Sequence, residues 1–149
     1  MAHTYTKLLY HVLFGTQDRV NTLTADLRPR LFPYIGGIMR NLGGSAVSIG
    51  GVSDHIHLGL HLPPRLALSD VVRDLKANSS KWINEQLGMK GKFAWQGGFT
   101  AFTVSQSRMQ AVLDYINSQE DHHAKQDFKA ELKRLLEKHN VPFDVDALV

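Results

Sequence analysis

The sequence contains no cysteine, and none of its apolar runs is long enough to cross a membrane. The missing thiols exclude a disulfide framework and every zinc or iron–sulfur site that depends on cysteine. The apolar run "LLYHVLF" near the start is interrupted by a histidine and followed by no small-residue cleavage pattern. It therefore predicts neither a signal peptide nor a membrane span. We expect a cytoplasmic protein with no membrane partner.

The sequence also lacks low-complexity tracts, internal repeats and a phosphate-cradling glycine loop of the Walker type. With 43% hydrophobic and 21% charged residues, the composition is typical of a globular chain rather than a disordered one. Its 149 residues predict a single domain over residues 1–149. The formal net charge of +3 is compatible with a polyanionic partner.

The pattern of apolar residues and turn signals predicts the element order β-α-β-β-α-β followed by two further helices. The predicted elements are a strand over 5–14, a helix over 29–42 ended by Gly43-Gly44, strands in "SAVSIGGVSD" and "HIHLGLHL", a helix over 70–87 capped by Ser69 and ended by Gly88, a strand over 92–105, and helices over 107–125 and 127–139. This order predicts an α+β fold of the ferredoxin-like (RRM-like) split βαβ type. Such a fold has an antiparallel sheet with helices on one face, here with added C-terminal helices.

The third predicted strand carries histidines on one face. In "SDHIHLGLHLPP" the residues Ile56, Leu58, Leu60 and Leu62 fall on one parity, and His55, His57 and His61 fall on the other. This alternation predicts a half-buried strand whose second face presents the imidazoles. His55 and His57 would lie about 6–7 Å apart and could converge on one ion, whereas His61 would lie about 13 Å beyond His57. The same pair is also compatible with solvated or hydrogen-bonded histidines, so a metal site requires a third ligand.

The helix predicted in "SRMQAVLDYINSQEDHHAK" offers candidates for that ligand and for a reactive group. At about 100° per residue, Tyr115, Gln119 and His122 fall within roughly 60° of one another, beside the apolar stripe. Tyr115 is the only tyrosine after the histidine strand. A tyrosine in this position is either a packing residue or a nucleophile, and spacing alone does not decide between the two.

These motifs resemble a known family, the single-tyrosine HUH transposases of small single-strand-DNA insertion sequences. The resemblance rests on the His-hydrophobic-His strand and on "YINSQEDHH" in the late helix. Further segments match the family in order and spacing: "LFPYIGGI", "GGVSDHIHL", "LKANSSKWIN", "FAWQGGFTAFTVS" and "LLEKHNVPFD". Together they cover nearly the whole chain.

The resemblance implies a DNA transposase that cuts and rejoins single-stranded DNA with hairpin ends. Tyr115 would be the nucleophile and would form a 5′-phosphotyrosine intermediate. His55, His57 and Gln119 would hold Mg²⁺ or Mn²⁺, which suits two imidazoles and an amide oxygen. Asp54 is a candidate for orienting one of these imidazoles. The family also implies a bacterial or archaeal homodimer, in which the tyrosine helix of one subunit completes the histidine site of the other.

The remaining basic and polar residues are candidates for DNA contact. Arg73, Lys76, Ser80 and Lys81 follow one another on the 70–87 helix, and His122 lies beyond the candidate nucleophile. Such side chains bind phosphates without reading sequence, although a solvated helix face would look the same.

Three rival functions share part of this pattern. A domesticated, REP-associated relative would keep the chemistry but act on chromosomal repeats. A non-catalytic RRM-like module would bind single-stranded nucleic acid, but it would carry stacking aromatics where this strand has histidines. A two-histidine phosphodiesterase requires two His-x-Thr/Ser motifs, and the sequence contains none.

Overall fold

A computed structural model of the protein describes residues 2–88, 92–123 and 127–148, without the side chains of His122 and His123. The strands are β1 (Leu8–Gly15), β2 (Ser45–Gly51), β3 (His55–Leu62) and β4 (Thr100–Thr103). The α-helices are α1 (Arg28–Leu42), α2 (Leu68–Leu87), α3 (Met109–Asn117), α4 (Gln119–His123) and α5 (Phe128–Lys138). None of the helices in these ranges has the length and apolar composition that crossing a membrane requires.

The four strands form one antiparallel sheet in the order β2-β3-β1-β4. The two central strands, β1 and β3, pair along their whole length from Leu8 opposite Leu62 to Gly15 opposite His55. Helices α1 and α2 lie together on one face of this sheet. Strand order and helix placement confirm the predicted ferredoxin-like split βαβ fold.

One face of the sheet carries the larger apolar core. Alternate strand residues such as Val12, Phe14 and Leu58 point to α1 and α2, where residues such as Leu31 and Leu75 cover them. The predicted glycine stops of both helices are confirmed. Gly43 and Gly88 end α1 and α2 in the left-handed region, at φ values of 97° and 63°.

The second face of the sheet is covered by the C-terminal helices. Leu13 and Phe102 point away from α1 and α2 and pack against Phe128, Leu132 and Leu135 of α5. Strand β3 is therefore buried on both faces, and the prediction of a half-buried strand with open histidines is wrong. Local alternation shows which residues share a face, but it does not show what a later helix lays over that face.

Two predicted element boundaries are also wrong. Helix α2 begins at Leu68 with Ala67 at its N-cap, so Ser69 lies inside the helix and does not cap it. Strand β4 is confined to Thr100–Thr103 and does not reach back to residue 92. The preceding segment is instead tied to α2, because the Lys76 ammonium donates hydrogen bonds to the carbonyls of Gln96 and Gly98.

The single helix predicted over 107–125 is two helices. Helix α3 ends at Asn117, and Ser118 leaves the helical region at φ −111° and ψ 30° before α4 begins at Gln119. The Ser118 hydroxyl donates to the carbonyl of Asp114 at 2.7 Å. A serine side chain bonded to the preceding turn competes with the backbone and bends helices. Tyr115 and Gln119 therefore belong to different helices.

Helix α3 approaches strand β2 backbone to backbone. A Cβ added at Gly50 would lie 1.8 Å from the carbonyl oxygen of Ile116, so only glycine fits there. Gly59 of β3 faces the same helix more loosely, since a Cβ there would lie 3.2 Å from a methyl group of Leu113. These contacts fix the height of Tyr115 above the sheet.

Candidate metal and nucleophile site

Three buried side chains, those of His55, His57 and Glu131, meet at the N-terminal end of β3. The carboxylate oxygen Oε1 of Glu131 lies 3.3 Å from Nε2 of His55 and 3.1 Å from Nε2 of His57. The candidate ligand atoms of these three residues all lie within 4.8 Å of one another. All three side chains are fully buried, with exposed fractions of 0%. The covering helix α5 therefore completes the histidine pair with an acid.

Each histidine is oriented through its other ring nitrogen. Nδ1 of His55 lies 2.8 Å from Oδ1 of Asp54, the orienting contact predicted for that aspartate. Nδ1 of His57 lies 2.8 Å from Nε2 of His11 on β1. Because both Nδ1 atoms are engaged, both Nε2 atoms are directed at the same point. This is the arrangement by which proteins fix imidazole ligands of a metal.

The electrostatic settings of the histidines differ. Burial lowers the pKa of His55, but hydrogen bonds to Asp54 and Glu131 outweigh it, and the pKa lies above its ordinary value. Burial, reinforced by the neighbouring His57, lowers the pKa of His11 to about 3. His11 is therefore neutral at physiological pH and joins His57 through one N–H···N hydrogen bond.

Tyr115 on α3 reaches the same carboxylate. Its hydroxyl donates a hydrogen bond to Oε2 of Glu131 and accepts one from Nη2 of Arg134 at 3.0 Å. Burial raises the pKa of Tyr115, and the hydrogen bond and charge of Glu131 raise it further, whereas the Arg134 charge acts in the opposite direction. In this arrangement the phenol holds its proton against the Glu131 oxygen.

Gln119, the predicted third ligand, lies beside the tyrosine. Its Nε2 donates to the carbonyl of Tyr115 at 3.1 Å. Its Oε1 is buried and has no hydrogen-bond partner among the residues that the structure describes. A buried amide oxygen normally has a partner, so this atom is expected to accept a hydrogen bond or to ligate an ion. Ligation by Gln119 remains a prediction.

The residues predicted to contact DNA on α2 do not join this cluster, because α2 packs on the opposite face of the sheet. Arg73 is exposed and pairs with Asp70 at 3.2 Å, Lys81 is exposed, and Ser80 is partly buried. Lys76 is half-buried, and burial lowers its pKa. The side chain of His122 lies outside the described part of the chain. The roles of all five in DNA binding remain predictions.

Sequence reasoning missed Glu131, His11 and Arg134. Glu131 had a signal, because it lies within the apolar stripe of α5 between Phe128 and Leu135. An acid at such a core position requires a charged or hydrogen-bonded partner. His11 had a similar signal, since it shares its parity with the buried Leu9 and Leu13. Nothing local distinguished Arg134 from the other exposed cations of α5.

The donor set fits a divalent cation. Two imidazole nitrogens and one carboxylate oxygen suit borderline to hard ions, and the Gln119 oxygen, which has no partner among the described residues, is a further oxygen donor. Metal sites that depend on cysteine ligands are excluded, because the sequence contains no cysteine. The cluster thus combines a candidate metal site with a tyrosine hydroxyl on the same carboxylate.

The sequence resembles known transposases. The profile of the family described as "Transposase IS200 like" matches residues 4–119. The transposase of insertion sequence element IS200 from Salmonella typhimurium is 29% identical over 128 residues, which is 80% of this chain and 81% of that protein. The ISDra2 transposase TnpA from Deinococcus radiodurans is 28% identical over 120 residues, which is 77% of this chain and 86% of that protein.

Two solved structures share the fold. A transposase structure from Deinococcus radiodurans superposes with a TM-score of 0.65 at 24% identity, covering 78% of this chain and 94% of that one. A REP-associated tyrosine transposase bound to a REP hairpin superposes with a TM-score of 0.56 at 19% identity, covering 78% of this chain and 68% of that one. Because the family profile spans well over half of the sequence, this chain belongs to the IS200-like transposase family, whose members cut and rejoin DNA.

Proposed function

We propose that the protein is a metal-dependent single-strand DNA endonuclease and strand transferase that excises and inserts a small insertion sequence through a 5′-phosphotyrosine on Tyr115. One observation carries the proposal. The carboxylate of Glu131 contacts the Tyr115 hydroxyl with one oxygen and both His55 and His57 with the other. One carboxylate therefore links the candidate nucleophile to the candidate metal site.

His55, His57 and Glu131 would hold the metal, with Gln119 as a further or alternative ligand, and Mg²⁺ and Mn²⁺ are the ions we propose. When bound, the ion would polarise the scissile phosphodiester and stabilise the charge that develops on it. Asp54 and His11 support the site by keeping both Nε2 atoms directed at the centre.

Tyr115 would attack the phosphorus atom. The new bond joins the phenolic oxygen to phosphorus, the bond from phosphorus to the 3′ oxygen breaks, and the departing oxygen takes a proton from water to become a 3′-OH. The phenolic proton passes to Oε2 of Glu131, which already accepts its hydrogen bond. Rejoining is the reverse reaction with a different 3′-OH, so the phosphotyrosine conserves the bond energy and no nucleotide cofactor is required.

The DNA partner would be single-stranded with hairpin ends. Support comes from the family and from the shared fold of the tyrosine transposase that was solved with a REP hairpin. Arg73, Lys76, Ser80, Lys81 and His122 remain candidates for phosphate contact. We also propose a homodimer in which α3, packed here over the histidine site of its own subunit, exchanges to complete the site of the other, with the polar segment 105–108 as the hinge.

The sheet gives no support to the rival function, an RRM-like binding module. In that class the sheet face stacks bases on exposed aromatic side chains. Here the corresponding face is covered by α3 and α5, and its central histidines are fully buried. A domesticated, REP-associated transposase would use the same site on different DNA, so only the substrate distinguishes it from a mobile element.

The test is a covalent adduct on the DNA that flanks this gene. Each flanking strand, single-stranded, is incubated with protein and Mg²⁺ or Mn²⁺ and separated on a denaturing gel. We expect an adduct on one strand that disappears with chelator and with Tyr115→Phe. The matched control is Tyr34→Phe, which removes a hydroxyl on the far side of the sheet and should leave the adduct unchanged. An adduct that survives Tyr115→Phe would contradict the proposal.

A further inference from the structure

Arg134 contacts the candidate nucleophile directly. It lies one turn after Glu131 on α5, and its Nη2 donates to the Tyr115 hydroxyl at 3.0 Å. Its guanidinium carbon lies 5.7 Å from the centre of the Tyr115 ring. The side chain is otherwise exposed, so it contributes little to the core. Glu131 and Arg134, which both contact the hydroxyl, therefore come from the same face of one helix.

Arg134 also differs from the arginines that are paired with acids. Arg28 pairs with Glu120 at 2.9 Å, and Arg73 pairs with Asp70. Within the part of the chain that the structure describes, Arg134 has no carboxylate within ion-pair distance. A guanidinium has five N–H donors in a planar fork, and the contact with Tyr115 uses one nitrogen. The remaining donors are available for an anion.

A cavity opens at this arginine. It has a volume of about 430 Å³ and is bordered by Tyr115 and Arg134. Its other charged lining residues are the cations Arg108 and Lys138, and among the described residues no acid lines it. Phe102 and the ring of His139, stacked at 3.9 Å, form its floor. Its size is in the range of pockets that hold small organic ligands, and its charge suits a phosphate-bearing strand.

We propose that Arg134 binds a non-bridging oxygen of the phosphodiester that Tyr115 attacks, while Arg108 and Lys138 hold the adjoining strand in this cavity. This inference rests on the proposed function. One edge of the guanidinium positions the phenolic oxygen, and its free donors reach the phosphate on which negative charge accumulates during transfer. Arg134 would thus hold nucleophile and target together from the side opposite the histidines.

The test separates a phosphate contact from a general charge effect. In the Tyr115→Phe background, which binds without cutting, affinity is measured for the reactive strand and for the same strand with a neutral methylphosphonate at the scissile position. We expect Arg134→Ala to weaken binding of the normal strand about tenfold and to leave binding of the neutral strand almost unchanged. The control is Lys133→Ala, which removes an exposed neighbouring charge and should affect both strands equally.

A second readout uses the active protein. Arg134→Ala should slow adduct formation about 100-fold at saturating DNA, as loss of one transition-state donor does, with Arg134→Lys intermediate and the melting temperature unchanged. Equal weakening of both strands by Arg134→Ala, or no change in adduct rate, would overturn the inference while leaving the proposed function intact. Failure of the unmodified protein to form any adduct would overturn both.

Discussion

Substituting Gly50 tests whether the position of the tyrosine depends on the close contact between α3 and β2. An alanine Cβ at residue 50 would lie 1.8 Å from the Ile116 carbonyl oxygen, whereas ordinary contact begins at 3.4 Å. The helix must therefore move away by about 1.5 Å, because its own backbone is the obstacle and no flexible side chain can yield. Ile116 directly follows Tyr115, so the hydroxyl moves with it.

Both stability and chemistry should suffer. Forcing a methyl group into a tightly packed contact costs about 1–3 kcal/mol of unfolding free energy. A displacement of about 1 Å at a reacting group can cost about 100-fold in rate. We therefore expect Gly50→Ala to lower the unfolding free energy in urea by about 1–3 kcal/mol. We also expect it to slow adduct formation about 100-fold, with hairpin binding nearly unchanged.

Two glycines supply matched controls. Gly59→Ala meets the same helix, but at 3.2 Å and through a flexible Leu113 methyl group, so its effect on both quantities should be small. Gly97→Ala meets nothing within 4 Å and should behave like the unsubstituted protein. If Gly50→Ala matched these controls in stability and in adduct rate, α3 could not rest on β2 as described.

Four further outcomes are expected. His57→Ala should abolish cleavage while hairpin binding persists, and surviving cleavage would refute the metal assignment. Glu131→Gln should weaken Mn²⁺ binding, because an amide replaces the carboxylate that lies between both imidazoles. Electron paramagnetic resonance measures this binding. His11→Phe should weaken Mn²⁺ binding about 10- to 100-fold through loss of the orienting bond, and unchanged affinity would show that the His57 ring needs no such support. The pKa of His11 is lowered to about 3, so the unfolded chain binds its proton more readily. The contribution of His11 to stability should be complete above about pH 6.5 and should fall below it by up to about 1.4 kcal/mol per pH unit toward pH 3. His11→Gln should reduce that slope in urea unfolding. The pKa of His55 is raised, so the stability that His55 contributes is lost as pH rises above its ordinary value.

The sequence was most informative where local chemistry decides the structure. The two glycine stops, the paired strands and the His-x-His register of β3 all follow from short-range patterns, and each was predicted. The break at Ser118 was missed, because neither a glycine nor a proline marks it and the sequence gives no sign of a hydroxyl bonded to the preceding turn.

The covering of the histidine face was missed for a different reason. Which helix lies over His55 and His57 depends on long-range packing between Leu13, Phe102 and α5, and periodicity does not report such contacts. The acid in the stripe of α5 was visible in the sequence, but its partner was not. Interpreting Glu131 as a buried charge in need of partners would have indicated the histidine pair of β3.

The packing of α5 also bears on where the working unit of this enzyme ends. The family profile stops at residue 119, before the helix that supplies Glu131 and Arg134. A fragment cut at that boundary would retain the signature strand and the tyrosine. It would nevertheless expose the apolar side chains of Leu13 and Phe102 to solvent. It would also remove Glu131 from His55 and His57. An expression boundary chosen from the profile alone would thus yield an aggregation-prone piece without Glu131 and Arg134, and mutational surveys should extend through residue 148.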